Sequence, residues 1–483
     1  MPQTADPHHD RRWQILGVIA IAQLLVVLDV TIVNIALPSA QADLGFSDDQ
    51  RQWIITAYAL AFGSLLLLGG RIADLFGRKW TFIAGLIGFA AASALGGAAQ
   101  SFGLLVGARA LQGMFGALLA PAALSLLATT FTDPSERGKA FGIYGAIAGA
   151  GSAFGLLLGG VLTEVLDWRW CLYVSILFAV PAAIGGLRLL HHVPATERPR
   201  LDIPGTLAAS SGLFALVFGF SRAESDGWGD PVTIAFLAAG VLLLVAFVAI
   251  QRRVKHPLLP LRVVTDRNRG GAFLAIGIAG AGMFGVFLFL TFYLQNTLQM
   301  SPLETGLAFL PMTFCIVVTA TLVNTKVLVR TGPRPLIPSG MVLAAVAMVL
   351  LTRIGVDSSY ASHVLPSLML MGVGFGLIIA PSFATATLGV PRHDSGVASA
   401  MVNTSQQVGG SIGTALLSTL AVSATADFIA TNGPGAQAAV EGYVTAFWWA
   451  AAIFAIGAIA TGSLLRSDAR VPAHAAAAEP VAA

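Results

Sequence analysis

Charge is what this sequence has least of. Only 11% of its 483 residues are Asp, Glu, Lys or Arg, against about 25% in an ordinary soluble domain. That is too few to cover the exterior of a globule this size, so a water-soluble fold is excluded. Cysteine is scarcer still: Cys171 and Cys315 lie far apart, both inside apolar runs, which leaves no disulfide framework and no thiolate metal site. The eight histidines fall in loops and tails and assemble no ligand spacing, so no metal is expected. The chain contains no Walker loop and no hydrolase motif, and it is read as a protein without a cofactor that is not an enzyme. A net charge of +3 with a pI near 9.0 does not call for a nucleic-acid partner, because the placement of the basic residues has another cause.

What is abundant is apolar. Hydrophobic residues make up 56% of the chain, glycine contributes 53 positions, and the mean hydropathy is +0.80. Apolar runs of about 18 residues or more, long enough to cross a bilayer, number fourteen: 13–37, 52–69, 80–98, 102–128, 139–162, 170–189, 204–221, 232–250, 270–294, 304–323, 336–354, 363–386, 397–422 and 443–465. The first follows the polar lead MPQTADPHHDRR and is too long for a signal-peptide core, so it is expected to remain as a span. The intervening loops alternate between two sides. One side, which includes the N-terminus, holds 22 of the 27 Lys and Arg, while the other holds only Arg51, Arg169, Arg222 and Arg353. Cytoplasmic loops retain Lys and Arg, so a multi-pass protein of the cell membrane with both termini in the cytoplasm is expected. The Ala- and Pro-rich tail beyond Arg466 reads as disordered.

The chain repeats itself. GRIADLFGRKWTFIAG from Gly70 aligns with TKVLVRTGPRPLIPSG from Thr325 at an offset of 255, and GALLAP at 116–121 aligns with GLIIAP at 376–381 at an offset of 260. Two matches at nearly one offset indicate duplication. Spans 1–6 are then repeated by spans 9–14, with 7 and 8 as an inserted pair. The division is a tail at 1–12, a six-helix bundle at 13–190, linkers with the inserted pair at 191–269, a second six-helix bundle at 270–466 and a tail at 467–483. Parallel halves with a site between them are an alternating-access architecture.

LDVTIVNIALP in span 1, GRIADLFGRK after span 2, RALQG in span 4, DWRW before span 6, and FYLQ with SPLETGLAFLP around spans 9 and 10 carry a family resemblance. From about residue 13 to 466 the chain resembles the major facilitator superfamily, and within it the fourteen-span drug:proton antiporters of the EmrB/QacA type. The resemblance implies an all-α major facilitator fold of two six-helix bundles plus two inserted spans. It also implies proton-driven export of drugs, dyes, antibiotics or lipophilic metabolites.

Asp29 is the only carboxylate well inside a span. Inserting one there costs about 2.5–3.5 kcal/mol, so it needs a partner or a proton. Burial raises, and a nearby cation lowers, the pH at which a carboxyl ionises, so a group that changes surroundings can exchange protons. The other reading is a permanent ion pair holding spans 1 and 4 together. Arg109 is the matching intramembrane cation and stays charged at any physiological pH. It shares one helical stripe with Gln112, Gly113, Gly116 and Ala120, which suits either a cavity wall or close packing. The resemblance assigns RALQG, and so Arg109 and Gln112, to proton coupling. Whether Asp29 and Arg109 touch is not fixed by the sequence.

Gly70, Asp74, Gly77, Arg78 and Lys79 are expected to form a short hairpin between spans 2 and 3, with Asp74 paired to a cation or a helix N-terminus. The resemblance makes this a latch for the outward-facing state; positive-inside charge alone accounts for Arg78 and Lys79. The second copy has Val329 where Asp74 would fall. Span 5 carries Gly145, Gly149, Gly155, Gly159 and Gly160, a face suited to close helix approach. Leu156 replaces the proline usual in antiporters of this group. Gln23 and Asn34 in span 1 and Asn403 and Gln406 in span 13 are the substrate-cavity candidates. Met283, Phe284, Phe287, Phe289, Met369, Met371 and Phe375 would make such a cavity mostly apolar.

The reading is a proton-coupled antiporter exporting small lipophilic compounds, working as a monomer with substrate, protons and the bilayer as its partners. Two alternatives stay open: proton symport or facilitated uptake of a metabolite, and a non-transporting receptor or scaffold on the same fold.

Overall fold

The computed structural model describes residues 11–46, 48–191, 202–323, 327–391 and 394–466. The side chain of Asn34 and the surroundings of Gly149, Phe284, Val329 and Leu156 lie outside the described residues, as do both tails.

Fourteen helices carry the chain back and forth: α1 Arg12–Leu44, α2 Asp48–Phe76, α3 Arg78–Gly97, α4 Phe102–Thr130, α5 Pro134–Val165, α6 Trp170–Leu189, α7 Ile203–Ser225 and α8 Pro231–Gln251. After a short helix at Leu261–Thr265 come α9 Arg267–Phe292, α10 Leu310–Leu322 with a preceding turn of helix at Pro302–Ala308, α11 Pro333–Leu351, α12 Leu365–Ala386, α13 Ser395–Asn432 and α14 Ala436–Leu464. No strand occurs among the described residues. Among the described residues, thirteen helices are long and apolar enough to cross a bilayer. α5, with 32 residues and about 1.5 Å of rise per residue, is the fourteenth. Within the helices backbone polar groups bond internally, which is what a hydrocarbon surround demands.

Short polar residues begin several helices. Ser101, Asp202, Asp230 and Asp266 each accept a backbone N–H from the first turn of α4, α7, α8 and α9, satisfying donors that a helix start leaves orphaned. Two helices outrun their hydropathy. α1 continues through PSAQADL to Gly45, which closes it at φ +68° with its N–H on the Gln41 carbonyl. α13 extends to Asn432 before Gly433 turns at φ +89°. Composition marks where lipid ends, whereas backbone bonding continues until a residue leaves helical geometry.

α1–α6 pack on one another, and α9–α14 do the same. The repeat is visible in the backbone. Gly77 and Gly332, the turns before α3 and α11, have φ of +93° and +73°, a region L side chains avoid. Gly85 lies against the backbone of Leu119, and Gly340 against the carbonyl of Gly374, so α3 meets α4 as α11 meets α12. Pro121 and Pro381 sit inside α4 and α12.

The face on which α1 begins is here called the N-face. The two halves meet there through small residues: Gly70 of α2 abuts Gly396 of α13, Gly142 of α5 the Ala320 carbonyl, and Gly145 of α5 Ala380 of α12. Toward the opposite face α7 lies between the halves, packed on both α2 and α13. Thr56 and Ser221 hydroxyls are 3.3 Å apart, and the Trp228 indole N–H donates to Thr419 Oγ1 at 2.7 Å. α8 packs on α7 and leaves most of its apolar surface outward.

Candidate functional site

The intramembrane charges meet. Arg109 Nη1 donates to Asp29 Oδ2 at 2.6 Å, and Gln112 Nε2 donates to Asp29 Oδ1 at 2.8 Å. Arg109 Nη1 also reaches Gln112 Oε1 at 2.8 Å, Gln112 Nε2 reaches Ser93 Oγ at 2.8 Å, and Arg109 Nε donates to the Ile54 carbonyl at 3.3 Å. The Tyr58 ring covers the guanidinium, its centroid 4.5 Å from Cζ. Four helices converge here: α1 supplies Asp29, α2 Ile54 and Tyr58, α3 Ser93, and α4 both Arg109 and Gln112 at i and i+3 on one face.

Asp29 and Gln112 are 0% exposed and Arg109 2%. The cluster therefore lies inside the first half of the molecule, reached from neither face in this conformer. Removing one partner of such a pair strands a buried charge, at about 3–5 kcal/mol. The rest of the α4 stripe packs as well: Gly113 and Gly116 admit the backbone and rings of α2 at Tyr58 and Phe62. Close packing, rather than a cavity wall, is the use this stripe serves here. Ser93, Tyr58 and the Ile54 carbonyl were not legible in the sequence, since a serine or tyrosine in a span carries no mark of its partner.

A second constellation closes the N-face. The segment from Gly70 to Phe76 is helical, the last turns of α2, and only Gly77 turns; the expected hairpin is thus a single residue. Gly70 tolerates the helix interior because α13 presses on it at the Gly396 carbonyl and Ala400. This approach brings Asp74 Oδ1 to 3.0 Å from Gly396 N and Oδ2 to 3.3 Å from Val397 N. α13 has no side-chain cap of its own: Asp394, in the capping position, is paired instead with Arg262 at 2.5 Å. Asp74 thus caps a helix of the other half, where an anion is favoured by both the orphan N–H groups and the dipole. Arg78 Nη2 stands 3.7 Å from Asp74 Oδ1, while Lys79 Nζ donates to the Leu187 carbonyl at 3.0 Å. Two further ties cross the seam unannounced by sequence: Ser125 Oγ to Ser395 Oγ at 2.8 Å, and Arg137 Nη2 to Thr387 Oγ1 at 2.8 Å.

The glycines of α5 serve two neighbours. Gly155 and Gly159 lie against the α1 backbone at Leu28 and Ile32, Gly145 faces α12, and Gly160 has nothing within 4 Å of where a Cβ would stand. α5 runs unbroken past Leu156. Of the cavity candidates, Gln23 and Asn403 each make a hydrogen bond within the protein. Gln23 is buried, its Oε1 accepting from Tyr144 at 2.6 Å, and Tyr144 packs on Phe383 across the seam. Asn403, half-buried, donates to the Ser399 carbonyl of its own helix at 3.0 Å; Gln406 is half-buried beside Gly280. Met283, Phe289, Met371 and Phe375 are buried in the packing of the second half and Phe287 packs on Phe309, whereas Met369 is exposed. No cluster of metal-ligating side chains occurs among the described residues.

Two packed six-helix halves with an inserted pair, a charged cluster buried inside one bundle and an acidic cap across the inter-half seam define a polytopic membrane carrier. A family model described as Major Facilitator Superfamily matches residues 19–414, and the chain belongs to that superfamily, a membrane transporter rather than an enzyme. The chain is 54% identical over 466 residues to the Puromycin resistance protein pur8 of Streptomyces alboniger, covering 96% of this chain and 92% of that one. It is 38% identical over 409 residues to the Cephamycin export protein CmcT of Amycolatopsis lactamdurans, covering 84% of each. Among solved structures, the human organic anion transporter MFSD10 shares the fold with a TM-score of 0.63 at 16% identity, covering 93% of this chain and 99% of that one.

Proposed function

We propose that the protein exports small lipophilic antibiotics or drugs by alternating access, in exchange for protons, with Asp29 as the proton-carrying group. It would do so as a monomer of the bacterial cell membrane, with its termini in the cytoplasm. The observation that carries the coupling is the buried Asp29–Arg109–Gln112 cluster: in a transporter of this superfamily a carboxylate sealed at 0% exposure beside a permanent cation can hold or lose its charge as packing changes. Because it is sealed here, proton exchange belongs to the step in which the halves re-orient. Export, and antibiotics as cargo, are supported by relatives named for puromycin resistance and cephamycin export. Outward release fits a conformer whose seam is shut on the Lys- and Arg-rich side.

In this reading the N-face seam is the inner gate. Asp74 on the α13 N-terminus, with Gly70, Gly77, Arg78 and Lys79 shaping and flanking the turn, holds it closed. Tyr144 bonded to Gln23 forms its floor, and Asn403 and Gln406 offer amides to cargo. Gly145, Gly155 and Gly159 let α5 act as the hinge partner of α1 and α12. The bundles would divide at 13–190 and 270–466, with the inserted pair carried between them. One charge crossing 100 mV supplies about 2.3 kcal/mol, which at about 1.4 kcal/mol per tenfold sustains a cargo gradient of roughly fortyfold.

The test is expression in a bacterial host stripped of its own pumps, challenged with puromycin and a panel of lipophilic drugs. Resistance that a protonophore abolishes is expected. Sensitivity unchanged from the empty vector, or inward accumulation driven by the pH gradient, would replace export with the uptake reading.

A further inference from the structure

Protonation turns a carboxylate oxygen from an acceptor into a donor. Both Asp29 oxygens face donors in this structure, Arg109 Nη1 and Gln112 Nε2. A neutral Asp29 holds this arrangement less well: one oxygen can still accept, but the one that takes the proton now carries an O–H among N–H donors, and Arg109 loses its anion. The amide of Gln112 can turn to offer Oε1 to the acid, but its NH₂ then faces the guanidinium. Arg109 is then drawn to a further buried acceptor, since a guanidinium that has lost its anion in this interior is costly.

One acceptor is in place. Tyr58 is 2% exposed, its hydroxyl is buried, and that oxygen has no hydrogen-bond partner. Its ring lies under the guanidinium at 4.5 Å and stacks on Phe62 at 5.5 Å, which fixes the direction of the hydroxyl. Gly116 keeps room for it: a Cβ there would stand 3.5 Å from the Tyr58 oxygen and 3.1 Å from Phe62. Ile54, one turn earlier on α2, holds Arg109 by its carbonyl at 3.3 Å, so the side chain can swing without leaving α2. The groups facing the pair are Ser93 from α3, Gln112 from α4, and Tyr58 with the Ile54 carbonyl from α2; the titratable ones are Asp29, Arg109 and Tyr58.

We infer that Tyr58 is the second station of Arg109: when Asp29 takes a proton, the guanidinium slides along the Tyr58 ring and donates to the Tyr58 hydroxyl, and it returns when the proton leaves. Tyr58 is a positioning residue here and neither gains nor loses a proton. The inference rests on the proposed proton role of Asp29.

The test is proton release on addition of puromycin to purified protein in weakly buffered detergent, followed with a pH dye across pH 5 to 9. Wild type, Tyr58→Phe, Tyr58→Leu and Asp29→Asn would be compared after gel filtration confirms folded protein. Tyr58→Phe keeps the ring and removes only the acceptor, so it penalises the protonated arrangement alone. Its release midpoint should move about 0.5–1 pH unit downward, the value of one hydrogen bond at about 1.4 kcal/mol per unit, with puromycin affinity above the midpoint unchanged. Tyr58→Leu should shift it further through loss of the ring. A wild-type midpoint in a folded Tyr58→Phe overturns the inference while leaving Asp29 in its role. Release that persists in Asp29→Asn instead overturns the coupling reading beneath it. If Tyr58→Leu fails to fold, the Tyr58→Phe midpoint decides alone.

Discussion

The two halves share a fold but not a chemistry. In the first, α1 and α4 bury Asp29, Arg109 and Gln112 in one hydrogen-bonded cluster. In the second, the residues 260 positions on from Arg109 and Gln112 are Met369 and Gly372; Gly372 admits the Met312 carbonyl of α10, and Met369 is exposed. Buried polar side chains of the second half among the described residues are hydroxyls, apart from Asp394 on the N-face. The same asymmetry holds at the seam, where Asp74 has Val329 as its counterpart. Duplication preserved what backbone geometry requires, such as Gly77 with Gly332 and Gly85 with Gly340, and released what only function requires. Under the proposed coupling the halves divide the labour: the first carries the charge that would respond to protons, and the second is the surface it would move against.

The comparison breaks most visibly at its charged end. Arg109→Ala should leave Asp29 buried without its cation, at about 3–5 kcal/mol, and cut the yield of folded protein in a detergent melting assay. Met369→Ala, the pseudo-equivalent change, should leave both melting and the pH dependence of transport as in wild type. Next comes the seam. Asp74→Ala removes two charge-assisted bonds to α13, each about 1.5–3 kcal/mol, and should shift the open-to-closed ratio of the N-face at least tenfold. Spin-label distances between α2 and α13 read that ratio; an unchanged distance distribution would remove Asp74 from the gate.

Packing gives a smaller contrast within one motif. Gly155→Val pushes branched carbon into Thr31 and the Leu28 carbonyl and should cost about 1–3 kcal/mol. Gly160→Ala, with open space around it, should be neutral or gain up to about 1 kcal/mol from helix propensity. The smallest effect is at the outer end of α1, where a bond from Arg169, then one from the Trp168 indole, hold the Asp43 carboxyl below the usual carboxylate range. Its contribution is present above the unfolded-state value and lost as pH falls through the folded one. Asp43→Asn should therefore melt slightly lower at pH 7 and converge on wild type as the pH falls below the usual carboxylate range.

Much of this fold was legible in the residues, because lipid imposes one rule on every span and the turns at Gly77 and Gly332 repeat in register. The ends of α1 and α13 were not, since polar helix looks like loop to a hydropathy count. At the site, the lone intramembrane charges marked themselves, but that Asp29 and Arg109 touch is visible only in the structure. Ser93, Tyr58, Ser125 and Arg137 stayed hidden because their roles come from neighbours 19 to 270 residues away in the chain. The aromatic and Met residues of α9 and α12 carry little signal in the sequence, because apolar side chains look alike whether they line a cavity or fill a core.

In the proposed coupling, one carboxyl in the first half links transport to protons. Membrane vesicles of defined orientation, loaded with puromycin and a pH dye, test it directly by comparing wild type with Asp29→Asn under an imposed pH gradient. Puromycin movement and proton movement should both follow the gradient in wild type, and Asp29→Asn, folded and inserted, should lose the response of each to pH. Gradient-driven puromycin movement in Asp29→Asn equal to wild type would contradict it.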